Sequence, residues 1–185
     1  MANNASGEHW LQNFLISQAL LYLFENQSMG QRYSADVRAL LIRILHESQQ
    51  HYLLAMLTLI THFNQENRDF FQRVSQSLQS NNRAIQGNGL EVLSNMRHSP
   101  LAQKLVWFYE SKINDFADIA TLYARITKTP LGLTLDNYRQ YLLDLNNDFL
   151  HATLYYDTIQ RHGYLSLRQT LQYMPLKVQQ LLGAN

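Results

Sequence analysis

The residues best placed to do chemistry are few, and their spacing argues against most chemistries. His46, Glu47 and His51 sit in the run His-Glu-Ser-Gln-Gln-His. Glu47 and His51 are helical neighbours, but the run misses the His-Glu-x-x-His spacing that sets two imidazoles beside a catalytic carboxylate. A tetrahedral zinc site needs three or four ligands, and a di-iron bundle needs two Glu-x-x-His pairs from separate helices. The sequence contains no such pair. Gly87-Asn-Gly89 opens like a phosphate-binding loop, yet no third glycine follows at the required spacing and no Lys-Ser/Thr completes it. No serine stands in a Gly-x-Ser-x-Gly or Ser-x-x-Lys setting. The acid pairs Asp115 with Asp118 and Asp144 with Asp148 have helical-neighbour spacing and read as a solvated surface. The expectation is a protein that is not an enzyme, with no catalytic, cofactor-binding or metal-ligating residues.

Composition narrows the class further. At 185 residues the chain can bury roughly 70% of its extended surface and needs no covalent staple. Cysteine is absent, which excludes disulfides, thiolate metal sites and a thiol nucleophile, and makes the cytoplasm the default location. Fifteen Lys and Arg nearly balance fourteen Asp and Glu, without the basic footprint of a nucleic-acid binder, so no nucleic-acid partner is expected. The uncharged stretch from Trp10 to Phe24 contains Gln12, Asn13, Ser17 and Gln18 and falls short of the roughly 20 apolar residues of a bilayer-spanning helix.

Three prolines and seven glycines suit long helices joined by short turns, so the fold class is all-α: antiparallel helical hairpins, as a HEAT-like α-solenoid or an irregular bundle. Residues 1–7 read as a flexible leader and 8–185 as one all-helical domain. Apolar periodicity predicts helices over about 8–27, 35–63, 69–80, 83–95, 100–110 and 114–128. A seventh, capped by Thr134 with Asp136 and kinked near Asn146-Asn147, runs to Arg161. Short helices over 166–173 and 175–182 follow Gly163.

The run Arg83-Ala-Ile-Gln-Gly-Asn-Gly-Leu-Glu-Val-Leu-Ser-Asn95, followed by Leu101-Ala-Gln-Lys-Leu-Val-Trp-Phe-Tyr-Glu110, resembles a HEAT-type helical repeat. A long helix, a short helix and then this block, over residues 35–110, is similar to the soluble HEAT-like segment beside bacterial major-facilitator or nucleotide-translocase-like membrane domains. The resemblance implies packing positions and a membrane-associated protein partner, so any location at the inner face of a membrane would come through a partner or parent chain. The membrane domain itself is absent from this chain. Ala84, Gly87 and Gly89 are the candidate positions for close helix packing, because two helical glycines cost about 1 kcal/mol each relative to alanine and something must offset them.

The second half, 114–185, is rich in aromatics. Core packing accounts for most of them. Tyr138 and Tyr141 share a helix face, and Tyr155 and Tyr156 cannot both point inward on a helix covered from one side. These four tyrosines are the candidate protein interface. The leading expectation is a non-catalytic interaction or scaffold domain. One alternative is a small adaptor, similar in role to a secretion chaperone, that binds a client helix in an apolar groove. A second is a helical-bundle binder of a small ligand, which would need an enclosed pocket.

Overall fold

A computed structural model of the chain describes residues 2–26, 32–64, 68–96, 98–145 and 147–162. Every regular element among them is an α-helix: α1 (Ala2–Asn26), α2 (Ala35–Asn64), α3 (Arg68–Leu78), α4 (Arg83–Asn95), α5 (Pro100–Glu110), α6 (Phe116–Thr127), α7 (Tyr138–Asp144) and α8 (Asp148–His162). The protein is all-α. None of these helices is long and apolar enough to cross a membrane.

The chain divides into two compact units, one of Met1–Ala19 with Ser48–Gly132 and the other of Leu20–Glu47 with Leu133–Asn185. The long helices α1 and α2 each supply residues to both units, so the boundaries fall inside regular helix, where no composition change can mark them.

In the first unit, local sequence fixes where the helices begin. Asn82 Oδ1 accepts from the Ala84 amide at 2.9 Å, Ser99 Oγ from the Ala102 amide at 3.3 Å, and Asp115 Oδ1 from the Asp118 amide at 2.9 Å. Each satisfies a backbone donor left orphaned in a first turn, worth about 1 kcal/mol. Pro100 follows Ser99 at the first helical position of α5, where its missing amide hydrogen costs nothing. The buried residues of α3 (Phe71, Val74, Ser75 and Leu78) recur at three- and four-residue spacing and give it a narrow apolar stripe. The core gathers Leu11, Phe14 and Leu15 from α1, Leu53, Met56, Leu57 and Ile60 from α2, and Leu93, Leu105, Ile119 and Ile126 from the shorter helices. Phe14 meets Phe108 edge to face, ring centroids 4.9 Å apart, a preferred aromatic geometry.

The amino-terminal residues differ from expectation. Residues 2–7 belong to α1 rather than to a leader. Gly7 is buried, and a Cβ there would lie 3.2 Å from a Leu101 methyl and 3.3 Å from a Leu59 methyl. Tertiary contact thus extends the helix through a segment whose own composition is neutral.

The three small residues of α4 also part company. Gly89 is buried, and a Cβ there would stand 3.1 Å from Ser77 Cβ and 3.2 Å from Leu78 Cγ, so α4 approaches α3 closely at this point. Ala84 and Gly87 are exposed, and a Cβ on Gly87 meets nothing within 4 Å. Close packing is therefore not the role of Ala84 or Gly87. Opposite outcomes are expected at the two glycines. Gly87→Ala should stabilise the protein by about 0.4–1 kcal/mol through reduced backbone entropy of the unfolded chain. Gly89→Leu should destabilise it by about 1–3 kcal/mol through overpacking. Urea denaturation of the two variants checks both signs.

In the second unit, Leu20, Leu23 and Phe24 of α1, Val37, Leu41 and Leu45 of α2, Leu142 of α7, and Leu150 and Leu154 of α8 are buried. The connection before α7 is a turn rather than a helix cap. The Thr134 amide donates to Asn137 Oδ1 at 2.7 Å, and Thr134 Oγ1 accepts from the Asp136 amide at 3.3 Å. Helix begins only at Tyr138. The kink expected near 146–147 is a break between α7 and α8. Asn147 Oδ1 accepts from the amides of Phe149 at 2.9 Å and Leu150 at 3.2 Å and so caps a new helix. His151, itself buried, donates from Nε2 to the Leu143 carbonyl at 2.8 Å and ties α8 back to the end of α7. The expected helices over 166–173 and 175–182 lie outside the described residues.

Candidate interaction groove

The tyrosines proposed as an interface separate into an interior one and outer ones. Tyr138 is buried; its hydroxyl donates to the Tyr33 hydroxyl at 2.9 Å, and its ring meets Phe24 edge to face at 6.1 Å. It belongs to the core, because the turn at 134–137 delivers the first residue of α7 onto the buried Tyr33 and Phe24. Tyr141 and Tyr155 are half-buried, and Tyr156 is 54% exposed.

Around the Tyr33–Tyr138 pair two arginines and a buried carboxylate gather. The guanidinium of Arg161 lies 5.4 Å from the Tyr33 ring centre, and its Nε donates at 2.8 Å to Asp157, a carboxylate only 5% exposed. Arg32 lies over the Tyr138 ring at 5.8 Å and donates to the Leu135 carbonyl at 2.6 Å. Burial, reinforced by the hydrogen bond with Tyr138, pushes the Tyr33 hydroxyl far above the ordinary phenol range.

A raised phenol in the folded state contributes stability that is complete below the unfolded value of about 10 and is lost as pH climbs towards the folded value. Above pH 10 the unfolded chain releases this proton and the folded chain keeps it. Stability of the native protein should therefore fall between pH 10 and 11, with Tyr33 supplying up to about 1.4 kcal/mol per pH unit of that slope. In Tyr33→Phe the slope should be shallower, as read by urea midpoints at each pH.

The same unit carries large exposed apolar residues on α2 and α8. On α8, Phe149 is 73% exposed and shares a helix face with Tyr156, seven residues on. That face lies about 100° around the helix from the buried Leu150–Leu154–Asp157 stripe. On α2, Leu40 is 46% exposed and shares its face with Arg43, Ile44 and Glu47. These residues, with Ala152 and Thr153, line an open groove of ≈ 470 Å³. Arg43 Nε pairs with Glu47 at 3.0 Å on its α2 wall, and both side chains are largely exposed. Such a surface pair contributes little to stability and leaves the groove with no net charge from this wall.

Sequence reasoning found Tyr156 but missed Leu40 and Phe149. The available signal on α8 was a second apolar face, Phe149 with Tyr156, beside the core face.

The polar clusters singled out from the sequence are engaged elsewhere. His46 Nε2 lies 3.3 Å from Glu25, and Glu47 is held by Arg43. The His51 ring lies beside that of Tyr52. Among the described residues no three His, Asp or Glu side chains converge as metal ligands would. Asp115 caps α6, while Asp118 accepts from the Asn114 backbone amide at 2.8 Å and from the Asn114 side chain at 3.0 Å. The Asn114 amide, with further help from the Asn114 side chain and the Asp115 amide, holds the Asp118 carboxyl below the usual range. Asp144 accepts from Gln140 at 2.8 Å. Gly87 and Gly89 lie inside α4, where the backbone amides are committed to helix bonds rather than to an anion.

No protein-family model matches the chain, and neither a curated protein nor a solved structure matches it.

Proposed function

We propose that this chain is a non-catalytic protein-interaction domain of HEAT-like helical architecture, and that its working surface is the groove between α2 and α8. The observation that carries the reading is the exposure of Leu40, Phe149 and Tyr156 around one open, apolar depression. Large exposed apolar residues that share a patch mark binding surfaces, whereas single ones do not. The two walls repeat at helical spacing, 40, 43, 44 and 47 on one side and 149, 152, 153 and 156 on the other. That pattern suits a partner's amphipathic helix laid between them with its own apolar residues at i, i+3, i+4 and i+7.

The groove equally favours the adaptor form of this reading, in which the bound helix belongs to a client protein. Its openness disfavours a small-ligand site, because such pockets enclose most of their ligand. Support for the HEAT-like description comes from the packing of α3 on α4 and of α4 on α5, the neighbour-on-neighbour arrangement of a helical repeat. A cytoplasmic location, and attachment to a membrane only through a partner, belong to the same proposal and rest on the cysteine-free composition and the resemblance of residues 35–110.

Selection from a displayed library of helical peptides against the purified chain tests the reading. Amphipathic helices that bind wild type and compete with one another for the groove support it. Selected peptides that bind equally well after Leu40→Glu sink it.

A further inference from the structure

We propose that the helix held by this groove is α2 of a second copy of the chain, laid antiparallel about a two-fold axis so that Arg43 of each copy meets Glu47 of the other. The inference rests on the groove being a helix-binding site and names its partner.

The α2 wall carries on its own surface the pattern that the groove asks of an occupant. Leu40, Arg43, Ile44 and Glu47 stand at i, i+3, i+4 and i+7, and Leu40 is well exposed. A second α2 entering the groove brings this leucine against the α8 wall, where Phe149 and Tyr156 stand exposed. By symmetry each copy covers the other.

Charge sets the direction. The Arg43 and Glu47 side chains are 78% and 61% exposed and lie about one helical turn apart. A second α2 running the same way would set arginine against arginine and glutamate against glutamate, which disfavours association. A two-fold axis passing midway between the two positions reverses the second helix and sets each charge against its complement, twice over. The isolated Arg43–Glu47 pair thereby becomes a four-membered network, which is worth more than a single exposed pair. The net charge of the whole chain is only +1, and a charge near zero favours self-association.

Eight residues line the groove, against the roughly 20–30 a side of a standard stable interface. The dimer is therefore a weak and exchanging one, and the groove is covered only where the chain is concentrated.

Sedimentation velocity of the full chain over a concentration series tests this. The mass of the wild-type chain should rise from one chain towards two. Arg43→Glu alone and Glu47→Arg alone each place like charges across the axis and should weaken the dimer about tenfold or more. An equimolar mixture of the two single variants should restore it, because each copy then offers the other its complement. Rescue on mixing is a result that a misfolded variant cannot give.

A wild-type chain that keeps one-chain mass up to about 0.1 mM would overturn the proposal. So would a dimer that neither single variant weakens, or a weakening that mixing does not reverse. The helix-binding reading is decided separately. If helical peptides selected on a chain of one-chain mass still lose binding with Leu40→Glu, that reading stands and only the second-copy assignment falls.

Discussion

Phe24→Ala should destabilise the unit containing Leu20–Glu47 and Leu133–Asn185 by about 3–5 kcal/mol, the range for emptying a buried aromatic site. Phe24 has no exposed surface. Its ring touches Tyr33 at 5.8 Å and Tyr138 at 6.1 Å, so its removal leaves a cavity against two residues that also depend on each other through a hydrogen bond. The surrounding helices can close such a cavity only in part. Both tryptophans, Trp10 and Trp107, lie in the other unit, so tryptophan fluorescence is a poor reporter of this change. Amide hydrogen exchange is a better one. Protection in α7 and α8 should fall by roughly two to three orders of magnitude, and unchanged protection there would show that Phe24 does not anchor this core.

The second large effect concerns binding and should leave stability alone. Phe149→Glu places a charge where a helix must lie against apolar surface, and loss of a central aromatic anchor from an interface costs about 2 kcal/mol or more. Desolvating the new carboxylate adds to that. Peptides selected on the wild-type chain should therefore bind the variant at least about 100-fold more weakly. Because Phe149 is 73% exposed, the thermal midpoint should barely move, surface changes usually staying within about 0.5 kcal/mol. Calorimetric titration and a thermal scan on the same sample separate the two effects. A large loss of stability would mean that Phe149 packs in the core.

The helical class and most helix boundaries were legible in the sequence where a local device sets them. Asn82, Ser99 and Asp115 are short polar side chains immediately ahead of apolar periodicity, and each caps the helix that follows. Boundaries set by tertiary contact were not legible. Gly7 joins α1 because Leu59 and Leu101 lie against it, and nothing near residue 7 announces partners more than fifty positions away. Tyr138 looked like a surface residue beside Tyr141, but its hydroxyl finds Tyr33 across 105 residues of sequence. Gly87 and Gly89 are indistinguishable by composition and two positions apart, yet 100° per residue on a helix turns one to solvent and the other onto α3. The groove was half legible. Tyr156 announces an outer face of α8, whereas its union with Leu40 joins two residues more than a hundred positions apart in the sequence.

The most direct measurement is site-specific photocrosslinking in living cells of the native host, with a benzophenone amino acid placed at position 149 and, as a control, at the exposed position 121. A helix-binding groove predicts one crosslinked partner from position 149 and none from 121. The crosslink should map to an amphipathic helical stretch and disappear when Leu40→Glu is added. Crosslinks of equal yield from both positions, or crosslinks from 149 that persist with Leu40→Glu, would contradict it.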